Sequence, residues 1–138
     1  MKKLTILFIL TTIFSLSSCD KLPENGKLDG MWQLVQIDTE EGSNHAVKEQ
    51  RLYYSVQLKL ITLRGMSGSK YILGRFKHEG NTLSLYDFRT GGDEKPCSLE
   101  DLKPYGIYSA EPTFEVEKLT GSEMILKSEE ATLYFRKF

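Results

Sequence analysis

Leu28-Asp29-Gly30-Met31-Trp32 opens the folded part of the chain, and Leu133-Tyr-Phe-Arg-Lys-Phe138 closes it. Gly30 provides backbone free of side-chain clash, and Trp32 sits two residues on, on the same strand parity. It is the only tryptophan in 138 residues. A first and a last strand that pair would shut a sheet into a barrel. The end of that barrel near Gly30 then needs a plug, and Trp32 is the side chain large enough to supply it.

Between these ends the apolar rhythm is mostly two. Trp32 and Leu34 share a face, with an early parity change at Val35 and Ile37. Leu52, Tyr54, Val56, Leu58 and Leu60 alternate with polar or small-faced neighbours and predict one continuous strand, followed by a parity change at Ile61-Thr62-Leu63. A turn is expected at Gly65-Met-Ser-Gly68. Strands follow over Tyr71 to His78 and Thr82 to Phe88, joined at Glu79-Gly80-Asn81. Arg89 to Lys95 reads as a loop. Ser98-Leu-Glu-Asp101 has the form of a helix N-cap with an acid three residues on, and Pro104 and Gly106 stop that helix after a turn or two. Strands over Pro112 to Leu119, Met124 to Leu126 and Ala131 to Phe138 complete the chain. The pattern predicts an all-β antiparallel meander of about eight strands closed into a small barrel, with one short helical turn. Leu34, Tyr54, Val56, Leu58, Leu83, Leu85, Phe114, Val116, Met124, Leu126, Leu133 and Phe135 are its candidate core or pocket lining.

The first eighteen residues stand apart from this pattern. Lys2 and Lys3 precede an apolar run from Leu4 to Leu16 that is too short for a comfortable membrane span, which is the plan of a secretory signal. It ends in Leu16-Ser-Ser-Cys19, which resembles the lipobox of bacterial lipoproteins. That resemblance implies cleavage before Cys19 and acylation of its thiol, with acyl chains such as palmitate holding the protein to a membrane. Removing residues 1–18 takes away two lysines and no acid, leaving 16 basic and 19 acidic side chains. Such a balance argues against nucleic acid as a partner. Asp20 to Lys27 has no periodic apolar face and reads as a flexible tether that reaches at most roughly 28 Å. The division is then 1–18 signal, 19–27 lipidated N-terminus and tether, and 28–138 barrel.

The strand rhythm carries a further resemblance. The Leu-x-Gly-x-Trp start, Asn81-Thr-Leu-Ser-Leu85, Leu119-Thr-Gly-Ser-Glu-Met-Ile-Leu126 and the terminal Leu133–Phe138 segment are similar to the small lipocalin-like lipoproteins of Gram-negative bacteria. The likeness covers Leu28 to Phe138. It implies a lipocalin-like barrel in which Trp32 plugs the closed end and a basic residue of the last strand packs across it. Arg136 is the matching position, and strand parity leaves Lys137 open.

Chemistry is sparse. His45 and His78 lie in different segments, with no Cys or carboxylate at ligand spacing, so no metal or other cofactor is expected. No nucleophile elbow, phosphate loop or HExxH motif occurs, and Glu129-Glu130 sits in a turn. The chain is therefore expected to be non-enzymatic. Cys97, once Cys19 is acylated, has no partner within the chain and is expected to be a small side chain packed beside Pro96. Seven Tyr and seven Phe could line a pocket or fill the barrel. Two functions follow: an envelope lipoprotein, at the outer membrane or cell surface, binding a small apolar ligand, or an accessory module with a filled core that binds an envelope protein.

Overall fold

Strand pairing starts and ends where the sequence anticipates. A computed structural model describes residues 25–65 and 71–138. The expected signal segment, Cys19 and most of the turn expected after Gly65 lie outside the described residues. Nine strands follow in order: β1 (Gly30–Thr39), β2 (Asn44–Ala46), β3 (Leu52–Gln57), β4 (Leu60–Gly65), β5 (Ile72–Glu79), β6 (Thr82–Thr90), β7 (Thr113–Leu119), β8 (Glu123–Lys127) and β9 (Ala131–Lys137). One short helix, α1 (Leu99–Leu102), lies between β6 and β7. All pairings are antiparallel. Eight strands run β1-β3-β4-β5-β6-β7-β8-β9, and β1 pairs again with β9, so the sheet closes. The ninth, β2, is a short exposed strand folded onto the second half of β1, and it carries His45. Closure leaves the barrel strands without an unpaired edge.

The parity change in β1 is a bulge. Opposite β9 the register slips between Leu34 and Gln36, so that Trp32, Leu34 and Ile37 all face inward. A second bulge, between Val116 and Lys118 in the β7–β8 pairing, leaves Val116 only half-buried at the edge of the core. Ten of the twelve expected lining residues are buried.

Leu58 is the correction. The alternation from Leu52 to Leu60 is not one strand. The chain reverses at Leu58-Lys59, Gln57 pairs with Leu60, and Leu58 takes a left-handed φ of 56° at an exposed hairpin tip. A two-residue loop turns the strand without disturbing the apolar spelling, because Leu58 and Leu60 are apolar although both face water.

The hairpins define two ends. At the base lie Gly30, the Leu58-Lys59 tip and the end of β9. At the mouth lie the end of β1, the start of β3 and the long β6–β7 connection. At the mouth Ser98 caps α1 as its sequence predicts, its hydroxyl accepting from the Asp101 amide at 3.3 Å. A 3-10 turn over Lys103–Tyr105 and a left-handed Gly106 then end it.

Candidate functional site

The base is closed by the opening and closing segments of the chain. Asn25 to Lys27, read as tether, belong to the folded domain. Gly26–Leu28 forms a 3-10 turn, the Asn25 amide donates to Asp29 at 2.6 Å and to the Leu58 carbonyl at 2.7 Å, and Leu28 is buried. Trp32 has no surface that water can touch, and its indole N–H donates to the Leu28 carbonyl at 2.9 Å. The basic residue across the ring is Lys137, not Arg136. Leu133, Phe135 and Lys137 share inward parity, and the Lys137 ammonium lies 4.4 Å from the Trp32 ring centroid while donating to the Asp29 carbonyl. This accounts for Gly30. Its φ is 120°, and a Cβ there would come 2.7 Å from Lys137 Cε, so glycine leaves the lane through which the lysine reaches the tryptophan.

The mouth is closed from within. Leu102, Tyr105 and Ile107 of the β6–β7 connection are buried, and the Tyr54 hydroxyl donates to the Tyr105 carbonyl inside the barrel. Tyr54 also meets Phe135 edge-on, with ring centroids 4.7 Å apart. A side chain at Gly106 would overlap Leu133, so this segment threads the barrel wall closely. Burial, with Tyr105 and Tyr108 nearby, pushes the Tyr54 phenol well above its ordinary 10. Leu34, Leu63, Leu85, Ile107, Phe114 and Leu126 likewise have no water-accessible surface. A cavity able to hold even one water would leave area exposed on its walls. The interior residues that the sequence marks for a pocket therefore pack as core.

One open concavity lies outside the barrel. A groove of about 830 Å³ runs over the outer faces of β9, β1, β3 and β4. Register explains its floor. Arg136 faces Gln33, Gln33 faces Tyr53, and Tyr53 faces Arg64, giving one cross-strand row with a guanidinium at each end. The next row toward the base is Met31, Ser55 and Thr62, with Phe138 beside Met31 and edge-on to Tyr53 at 5.2 Å. The 3-10 turn Lys48–Gln50 forms a wall. Gln33 ties wall to floor, accepting from Arg136 Nε at 2.8 Å and donating to the Lys48 carbonyl at 3.2 Å, and is thereby buried on an outer face. Lys48, Arg51, Arg64 and Arg136 line the groove with one acid, Glu49. None of the four cations forms an ion pair among the described residues. The pairs present lie elsewhere: on β5 and β6, in α1 and its following turn, and at the β7–β8 hairpin. Sequence reasoning singled out Arg136 for another task and missed the rest, because register alone brings them together.

Cys97 is a half-buried thiol packed against the core. Burial first, then Asp101 and Asp93, push its pKa up. Among the described residues no three His, Cys, Asp or Glu side chains converge on a metal-sized site.

A closed eight-stranded antiparallel barrel, entered by a 3-10 turn and a Gly-x-Trp strand with a cation of the last strand over the indole, defines a lipocalin-type domain. The chain belongs to the lipocalin-like domain family, whose model matches residues 13–138. It is similar in structure to a lipocalin-like protein from Bacteroides uniformis, with a TM-score of 0.66 and 25% identity over 82% of this chain and all of that one. An uncharacterized protein from Bacteroides eggerthii matches at a TM-score of 0.63 and 23% identity, over 80% of this chain and 98% of the other. A protein from Burkholderia xenovorans shares the fold at a TM-score of 0.56 and 15% identity, over 80% and 82% of the two chains. No curated protein matches the chain.

Proposed function

We propose that this is an envelope lipoprotein, held to the outer membrane or cell surface by acylated Cys19, whose lipocalin-like domain is a non-enzymatic interaction module. In this reading the barrel is a rigid scaffold, and its partner binds the outer groove. One observation carries it: the interior is filled by the chain's own side chains, while the groove outside is lined by four cations and one acid, Glu49, with none of the four cations in an ion pair among the described residues. Unmatched cations on a concave face favour an anionic partner. Arg136 and Arg64 stand three strand spacings apart, about 14 Å. Two carboxylates four residues apart on an extended peptide are separated by about 13 Å. The partner is therefore an acidic segment of an envelope protein with an apolar residue between its acids, which would meet the Tyr53 ring. A small apolar ligand inside the barrel would instead have to displace Tyr105 and break its bond to Tyr54.

Native mass spectrometry of the protein taken from its own envelope tests this reading. The expected species is the acylated chain carrying a protein partner and no further small molecule, with the partner lost in an Arg64→Glu, Arg136→Glu variant. A small apolar molecule retained by the chain, indifferent to those substitutions, would refute the groove reading.

A further inference from the structure

We infer that the base of the barrel is a membrane-docking surface, with the Leu58-Lys59 hairpin tip seated in the lipid interface. The inference rests on the lipoprotein reading and adds an orientation to it. Six large apolar side chains are exposed among the described residues, and four of them gather at the base: Met31, Leu58, Leu60 and Phe138. Phe138 donates its amide to the Met31 carbonyl, Met31 faces Ser55, and Gln57 faces Leu60. Met31 and Leu60 are thus about 10 Å apart across the strands and about 7 Å along them, so they share one side of the barrel.

Leu58 is the sharpest sign. It is 59% exposed and holds a left-handed backbone that a leucine rarely adopts, at a tip where Gly or Asn fits more readily. Water rewards neither its exposure nor its conformation. An apolar surround rewards the side chain, and the exposed Lys59 beside it suits anionic headgroups.

The chain's path names the occupant. Asn25, whose amide holds the Leu58 carbonyl, follows Cys19 by six residues, which span about 20 Å at most. A diacylglyceryl group on Cys19 therefore brings its bilayer to the same end of the barrel as Leu58. Docking at Met31, Phe138, Leu58 and Leu60 leaves the cationic part of the groove, toward Lys48 and Arg51, in water.

The test uses the full acylated chain in vesicles of phosphatidylethanolamine and phosphatidylglycerol at 3:1, a composition chosen on the order of an envelope membrane. With Cys97→Ser in place, an environment-sensitive dye is attached at Lys59→Cys, or at Ala110→Cys toward the mouth as control. The position 59 dye is expected to emit blue-shifted and to be quenched severalfold more by nitroxide lipids than the dye at 110. Leu58→Asn, which suits the left-handed backbone, is expected to keep thermal stability and return the dye to water-like emission. Equal, water-like behaviour at 59 and 110 overturns the docking, and so does a dye that Leu58→Asn leaves in lipid. Intact mass reads the anchor separately. An unacylated chain overturns the lipoprotein reading and the docking with it, whereas an acylated chain with position 59 in water overturns the docking alone.

Discussion

Replacing Trp32 with alanine removes a ring that touches no water and leaves the base of the barrel without its plug. Truncating a buried aromatic side chain costs about 3–5 kcal/mol, the spread depending on how far the site can collapse. Collapse is restricted here: β1 is paired on both sides, to β3 and β9, and the Leu28 carbonyl loses the indole donor it accepts from at 2.9 Å. The expected loss is at the upper end of that range, against a total of about 5–15 kcal/mol for a typical domain. Guanidinium denaturation followed by far-UV circular dichroism measures it. The Lys137 contribution is separable. With its ammonium 4.4 Å from the ring centroid, a double-mutant cycle of Trp32→Ala and Lys137→Met should return a coupling of about 0.5–2 kcal/mol. A loss near 1 kcal/mol, no more than an arbitrary substitution costs, would refute the plug, and strict additivity would refute the cation–ring contact.

Gly30→Ala should destabilise by forcing Lys137 off its lane, whereas in a Lys137→Ala background the same change should cost less; thermal melts of the four chains show the difference. Tyr54→Phe leaves the Tyr105 carbonyl buried without its donor and should cost about 1–3 kcal/mol by chemical denaturation. The folded Tyr54 phenol has a raised pKa, so its share of stability is whole below about pH 10 and falls by about 1.4 kcal/mol per unit as pH rises toward the folded value. Denaturation at pH 9 and pH 11 should show that fall, and Tyr54→Phe should shrink it. Cys97, with its pKa raised by burial and by Asp101, should react slowly with a soluble disulfide reagent at pH 7 and much faster once unfolded; immediate reaction of the native protein would contradict its packing.

The barrel was legible because its strands alternate and its turns carry Gly, Asn and Ser, as at Gly80-Asn81 and Gly121-Ser122. The Leu58-Lys59 reversal was not legible, since it lacks turn residues and its leucines continue the alternation past the point where the chain has already turned back. The Trp32 contact hinged on parity. Counting inward from Leu133 and Phe135 leads to Lys137, while the family's pattern pointed to its neighbour Arg136. The groove had no local signature at all. Gln33, Tyr53, Arg64 and Arg136 meet only after three strand registers are set, and Gln33 reads as a surface residue until the Lys48–Gln50 turn covers it. The helix cap at Ser98 was plain, but nothing in that segment announced that Tyr105 would enter the barrel.

The seam between β1 and β9 also sets a schedule. Gln33 and Arg136, hydrogen-bonded across it, are separated by 103 positions, so the first strand has its final neighbour only when the last residues of the chain have arrived. Contacts of such long sequence separation close late and slowly. A nascent chain lacking β9 has an open sheet, an uncovered Trp32 and no lysine to cap it. The barrel therefore cannot lock while its tail is still being made, and in the lipoprotein proposed above that delay would leave the chain open for export before the seam closes.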